Sequence, residues 1–175
     1  RYVKHRDEVW VQSALDHQKR AFKYQHKSAF VVLTGIQNLG KQQLASSLER
    51  KLFESGYLAY FRGISNRALM AGDLEEDATI AKMKHIRQLG EMAYVFSDAG
   101  LIFITSISDI DEDDLNTLKT LNQPYQCLVI NIGENKFKDH LIDLQIEESE
   151  DQEISSQKLM LFLEDKLQQD PEYSI

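Results

Sequence analysis

Short unbroken apolar runs alternate along this chain with longer stretches in which apolar residues return every third or fourth position. Residues 29–34 (Ala-Phe-Val-Val-Leu-Thr), 57–61, 101–105 and 127–132 are runs of the first kind, the signature of strands covered on both faces. Residues 141–146 alternate instead, which predicts a fifth strand at an edge. Between the runs, Leu44, Leu48 and Leu52 predict a helix over 41–55. Ile80, Met83, Ile86, Leu89, Ala93 and Phe96 predict a long helix ending near Asp98, with all six in the core. An acid-rich helix over 111–121 suits its own dipole. A last helix begins at Ser155 and turns Leu159, Phe162, Leu163 and Leu167 inward, and an early one over 13–22 is expected to turn Ala14, Leu15 and Phe22 inward. Strands alternating with helices predict an α/β fold: a sheet of about five mostly parallel strands with helices on both faces. Ligands of such folds lie beyond the carboxyl ends of the strands, here formed by residues 34–41, 62–67 and 105–109.

One of those ends carries a motif. Gly35-Ile36-Gln37-Asn38-Leu39-Gly40-Lys41 joins the first strand to a helix and has the Gly-x4-Gly-Lys spacing of a phosphate-binding loop. Glycines let successive N–H groups and the helix N-terminus surround a phosphate, and Lys41 reaches its outer oxygens. The next position is Gln42, where that motif places the Ser or Thr that holds Mg²⁺. The candidate phosphate-binding set is therefore Gly35, Asn38, Gly40, Lys41 and Gln42, a cradle without its metal anchor. An ordinary strand-turn-helix is the competing reading of the bare pattern.

Composition narrows the class. With 175 residues and 42% hydrophobic content the chain fits one domain, 1–175, with an arm and helix over 1–28 and an α/β core over 29–170. No apolar run approaches a membrane span, and the first residues lack a signal peptide's apolar centre. The lone Cys127 reads as a small buried hydrophobe; a cytoplasmic protein is expected. The chain does not begin with Met, and a segment of a longer protein is expected. Net charge is -8, with a basic head over 1–27 and an acidic stretch over 108–153. The two could pair with each other or with neighbouring domains, or be simply solvated. No basic stripe with interleaved aromatics runs through the sequence, so no nucleic-acid partner is expected. His5, His17 and His26 fall in polar surroundings at spacings that fit no metal site and read as solvated.

The block Ile86-Arg87-Gln-Leu-Gly-Glu-Met-Ala-Tyr-Val-Phe-Ser-Asp-Ala-Gly100-Leu-Ile, together with the 31–41 loop and the stretch from Glu49 to Tyr57, resembles adenylyl-sulfate kinase, the P-loop enzyme that phosphorylates the 3′-hydroxyl of adenosine 5′-phosphosulfate. The resemblance runs from about residue 9 to 132 and returns in the last helix. It implies a three-layer P-loop NTPase-like fold, ATP and Mg²⁺ in an active member, and Arg67, Arg87 and Ser108 as remnants of the substrate site. It also implies a fused or partner sulfurylase.

Departures from the family pattern are as informative. Where the family reads Asp-Gly-Asp-Asn-x-Arg, this chain reads Arg62-Gly63-Ile64-Ser65-Asn66-Arg67, and both carboxylates are gone. The adenine-stacking Gly-Phe-Ser is replaced by Glu75-Glu76-Asp77, an Asn by His85, and the arginines after the third strand by Asp109 to Asp114. The family's long lid is reduced to residues 133–140. A hydroxyl nucleophile needs a placed base and a neutralised γ-phosphate, so the expectation is a degenerate member kept as a structural, regulatory or ligand-sensing module, with a residual nucleotide or phosphosulfate ligand. The alternatives are an active kinase whose metal ligands are rearranged among Asp73, Asp98 and Asp109, or an interaction domain that forms a homodimer through residues 79–98 or the N-terminal arm.

Overall fold

In the computed structural model, which describes residues 9–36, 40–64 and 78–169, five strands form one parallel sheet in the order β2-β3-β1-β4-β5. In chain order the elements are α1 (His17–Tyr24), β1 (Ala29–Thr34), α2 (Lys41–Glu54), β2 (Ala59–Phe61) and α3 (Ala78–Asp98). They continue with β3 (Ile102–Ser106), α4 (Glu112–Asn122), β4 (Cys127–Ile132), a 3₁₀ turn (Asp139–Leu141), β5 (Leu144–Ile146) and α5 (Gln152–Leu167).

The unbroken apolar runs are explained by cover on both faces. Ala29, Val31 and Leu33 of β1 pack with Leu44, Leu48 and Leu52 of α2 and Leu159, Leu163 and Leu167 of α5. Phe30 and Val32 pack on the other face with Ile86, Leu89 and Ala93 of α3 and Leu115 and Leu118 of α4. A central strand with two apolar faces cannot alternate. Helix α4 starts where its acids predict, with Asp111 and Asp114 forming a reciprocal capping box. Helix α5 starts three residues before the expected Ser155, because the Asp151 carboxylate accepts from Glu153 N at 2.9 Å.

Several expectations fail at the margins. The early helix is displaced to His17–Tyr24, its start fixed by Asp16, whose side chain accepts from Lys19 N at 2.8 Å. Leu15 and Phe22 are left 55% and 52% exposed. The helix meets the body through Arg20 and Tyr24 instead: a Cβ on Gly100 would lie 2.8 Å from the Tyr24 ring and 3.1 Å from Arg20 Cβ. On α3 the core seam is Ile86, Leu89, Gly90, Ala93 and Ser97, so Ile80 and Met83, expected inside, are exposed. At 100° per residue Ile80 lies roughly 120° around the helix from that seam. Phe96, the last residue of that expected stripe, is half-buried against Phe103 and Tyr60. The fifth strand is halved, since residues 139–141 turn as 3₁₀ helix and only Leu144–Ile146 pairs, with Ile130–Ile132 of β4. Strand β2 is likewise cut to the three residues that pair with β3. Cys127 is half-buried at the edge of the α3–α4 cluster, and burial pushes its thiol up to about 12, an inert sulfur.

His26 is the clearest correction, being buried rather than solvated. The amide of Leu58 donates to its Nε2 at 3.1 Å, so Nδ1 carries the proton and donates to Lys27 O at 2.9 Å. The neutral ring thus ties the segment before β1 to the start of β2, and burial lowers its pKa from 6.5. Below that value the unfolded chain takes up a proton that the folded chain resists, so stability is expected to fall as pH drops through 6.5. Urea denaturation at neutral and mildly acid pH should show His26→Gln with a shallower acid loss than the parent. An identical loss in both would place the acid sensitivity elsewhere.

Candidate functional site

The carboxyl end of β1 delivers the chain to Gly35, which lies against the neighbouring strand. Its φ is +152°, and a Cβ there would stand 2.2 Å from the carbonyl oxygen of Ile132 at the end of β4. Ile36 N donates to Glu134 O at 2.9 Å, which fixes the loop's first step to the segment after β4. Gly40, at φ +82°, opens α2 with no side-chain cap, so the helix N-terminus is left to a ligand or solvent. Asn38 lies outside the described residues.

Lys41 is buried to 1% exposure, and its Nζ donates to the carbonyl of Gly35 at 3.1 Å. Desolvation lowers its pKa to about 8, opposed by the carboxylates of Glu148 and Asp109. A lysine held inside the turn of its own loop, facing two acids, is a cation poised for exchange between a backbone partner and an incoming anion. Gln42, by contrast, is exposed on the first turn of α2.

The acids come from two other strand ends. Asp109 follows β3 with a left-handed backbone, φ +57°. Its amide donates to Gly35 O at 3.1 Å, its carbonyl accepts from Lys82 Nζ at 2.8 Å, and its carboxylate pairs with Lys136. Glu148 follows β5 and packs on Gly133, where a Cβ would meet its carboxylate oxygen at 3.2 Å. An open depression of about 890 Å³ lies there, lined by Gly133, Glu134, Asn135, Gln145, Glu147 and Glu148 among others.

Among the described residues, four buried polar atoms near these strand ends have no hydrogen-bond partner: Thr34 Oγ1, Thr105 Oγ1, Ser106 Oγ and Asn131 Oδ1. Thr34 stands beside Asn131 across the β1–β4 ladder, and Leu33 beside Ser106 across β1–β3. Buried hydroxyls without partners are rare inside a protein and are expected where a ligand or water completes the site.

The sequence-derived set is therefore only partly assembled. Gly35, Gly40 and Lys41 come together, with Gln42 beside them. Ser108 is half-buried one residue before Asp109. Arg87 is exposed on α3 and lines a shallow depression with Asp113, Asn116 and Thr117 of α4. Arg67, Asp73 and the acids at 75–77 lie outside the described residues. Asp98 is no metal ligand at this site: at the end of α3 it accepts the hydroxyl hydrogen of Tyr125, and it precedes β3, so it sits at the amino ends of the strands. Glu148, Lys136 and Lys82 were not foreseen. The only trace of Glu148 in the sequence is an acidic stretch directly after a strand. The loop after β4 is tied down, with Phe137 buried among the α3–α4 residues and its amide donating to Asn135 Oδ1 at 3.0 Å.

A family model described as adenylylsulphate kinase matches residues 27–130. An adenylyl-sulfate kinase of Clostridium acetobutylicum is 38% identical over 122 residues, 67% of this chain and 59% of the relative. One of Aeromonas hydrophila is 30% identical over 146 residues, 83% of this chain and 68% of the relative. The chain thus spans about three-fifths to two-thirds of the length of these relatives. Among solved structures, a hexameric APS kinase of Thiobacillus denitrificans superposes with a TM-score of 0.68 at 15% identity, over 82% of this chain and 30% of that one. The Mycobacterium tuberculosis APS kinase CysC in complex with AMPPNP and APS gives 0.65 at 16% identity, over 79% of this chain and 98% of that one. At such identities these two likenesses speak for the fold. Among the described residues no helix is long and apolar enough to cross a membrane.

Proposed function

The chain belongs to the adenylylsulphate kinase family, and from that premise we propose that it is a sulfate-activation domain that has kept an anion cradle and lost efficient phosphoryl transfer. It acts as a ligand-sensing or scaffold module, in the cytoplasm, beside a fused or partner sulfurylase. The observation that carries the reading is the pair Lys41 and Gln42. The lysine is in place for a phosphate or phosphosulfate, buried and bonded to Gly35 O; the residue after it is an exposed amide.

The phosphate and the metal fare differently against these residues. Gly35, Gly40, Lys41 and the helix N-terminus of α2 fit a phosphate, and the unpartnered hydroxyls of Thr34, Thr105 and Ser106 offer further donors. Residue 42 does not fit Mg²⁺, because an exposed amide stands where the motif has a hydroxyl. Arg67, Arg87 and Ser108 are proposed as secondary anion contacts, on the resemblance alone.

One observation favours the second reading, an active kinase with rearranged ligands: Asp109 and Glu148 both act on Lys41. Calorimetric titration with ATP, ADP and adenosine 5′-phosphosulfate, each with and without Mg²⁺, separates the two, with product formation followed in parallel. Binding indifferent to Mg²⁺, with no 3′-phosphorylated product, is expected. Micromolar binding of ATP that requires Mg²⁺, accompanied by turnover, would establish the active kinase instead.

A further inference from the structure

The anion cradle carries little positive charge, and its surroundings take part of that back. Lys41 and the N-terminus of α2, worth roughly half a charge, are what the described part of the loop brings to an anion. The loop's amides and the unpartnered hydroxyls of Thr34, Thr105 and Ser106 are neutral donors. The lysines beside Asp109 are already engaged, Lys136 with the Asp109 carboxylate and Lys82 with Asp114 at 3.1 Å. The depression next to the loop is lined by the carboxylates of Glu134, Asp139, Glu147 and Glu148, and by no basic side chain among the described residues.

Glu148 stands out among these acids. Its side chain packs on Gly133, which follows Ile132, and the Ile132 carbonyl oxygen lies against Gly35, whose own carbonyl holds Lys41 Nζ. Those contacts set an exposed carboxylate toward the buried ammonium, with no hydrogen bond joining the two. It acts on Lys41 more strongly than Asp109 does, and Asp109 is partly neutralised by Lys136. We propose that Glu148 sets the charge selectivity of the cradle, so that the site takes a single tetrahedral dianion, a sulfate or phosphate group, and turns away uncomplexed polyphosphates. The inference rests on the anion cradle proposed above and names the class of ligand it admits.

A balance of charge underlies the selectivity. One buried ammonium and a helix end come close to matching a dianion when neutral donors take its remaining oxygens. A di- or triphosphate brings further charge that must lie outside the loop, and the open space beside the loop is the acid-lined depression. No metal ligand stands at residue 42 to neutralise that charge, and like charges brought together are strongly disfavoured. Each added negative charge is expected to weaken binding by about tenfold. A metal ion in the depression is the competing reading of the same acids, but among the described residues they form no group that could hold one.

Two-dimensional NMR titration at the Gly40 and Lys41 amides tests this, with sulfate, phosphate, pyrophosphate and tripolyphosphate added at constant ionic strength and without divalent metal. In the parent chain sulfate or phosphate should bind more tightly than tripolyphosphate, the reverse of the order that charge alone gives at an exposed lysine. Both are titrated because the tetrahedral dianion is their shared chemistry, and the tighter of the two names the group. Glu148→Gln should tighten tripolyphosphate about tenfold and sulfate only about twofold. Glu164→Gln, the same loss of charge at an exposed position of α5, should change neither. Each variant swaps an exposed carboxylate for its isostere, and thermal midpoints equal to the parent's will show that the fold is kept. A parent that prefers tripolyphosphate, or a Glu148→Gln chain in which the ratio of the two affinities is unchanged, would overturn the charge selectivity and leave the cradle standing. No response at these amides to any of the four anions, in parent or variant, would remove the cradle itself and the selectivity with it.

Discussion

Gly35→Ala is expected to destabilise the domain by about 3–5 kcal/mol, a large share of the roughly 5–15 kcal/mol that holds a domain of this kind together. The methyl group would stand 2.2 Å from Ile132 O, on a backbone at φ +152°. Neither side of that clash yields easily. The oxygen belongs to the main chain at the end of β4, and the glycine is fixed by the bonds its carbonyl accepts from Asp109 N and Lys41 Nζ. Gly40→Ala is the control. It too has a positive φ, +82°, yet a Cβ there meets nothing within 4 Å among the described residues, so the backbone cost of about 1 kcal/mol is what applies. Urea unfolding of the two variants side by side measures the difference. Equal midpoints would mean that the loop does not rest on β4 as described.

Lys41→Met is expected to move stability and binding in opposite directions. The folded lysine ionises at about 8 against an ordinary 10.5, so below pH 8 the native state carries a charge whose desolvation opposes folding. Between pH 8 and 10.5 the unfolded chain holds the proton more tightly than the folded one, and stability rises with pH across that window. The full gap amounts to about 3 kcal/mol. Methionine removes that penalty and also the bond to Gly35 O, worth about 1 kcal/mol, leaving a net gain of about 2 kcal/mol at neutral pH. The difference between parent and variant should shrink toward pH 10.5, a signature that the other lysines and tyrosines cannot mimic, since both chains share them.

The same substitution should weaken phosphate-bearing ligands by about a hundredfold, as expected for loss of a charge-assisted contact in a desolvated site. For the parent chain, an anion that keeps Lys41 protonated should bind less tightly as pH rises above 8. Denaturation at pH 7 and 10, with calorimetric titration at pH 7 and 9, covers both halves. A Lys41→Met chain that is less stable than the parent at pH 7 and still binds the nucleotide would show that the lysine is a structural strut and not the anion contact.

These two positions also mark where sequence reasoning reached and where it stopped. The glycine and lysine of the loop were legible because a phosphate-binding turn is local: spacing within seven residues sets which amides point inward. The three central apolar runs, β1, β3 and β4, were legible for a similar reason. A strand covered on both faces has no room for a polar position, and that leaves a mark on every residue. The family resemblance in 86–102 could be read from residues alone, and the 27–130 family match agrees with it.

What failed did so where burial depends on partners distant in sequence. Ile80 and Met83 keep the spacing of a core stripe, but the seam of α3 is set by where α4 and the sheet lie, and they miss it. His26 looks like a solvated residue in a polar stretch until Leu58 is brought to its ring. Leu15 and Phe22 lose their expected cover because Arg20 and Tyr24 occupy the contact at Gly100. The acids around Lys41 come from segments that follow β3 and β5, far along the chain from the loop they face. No local pattern can announce them, since what joins them is the order β2-β3-β1-β4-β5 and the shared carboxyl edge it creates. Periodicity and short-range geometry were enough for the main elements, the class of the sheet, the Gly-x4-Gly-Lys loop and the glutamine that follows it at residue 42. The lowered pKa of Lys41, the acids that face it and the exposure of Ile80 and Met83 emerge only when the chain is folded, because burial and electrostatics depend on how far apart side chains lie in space.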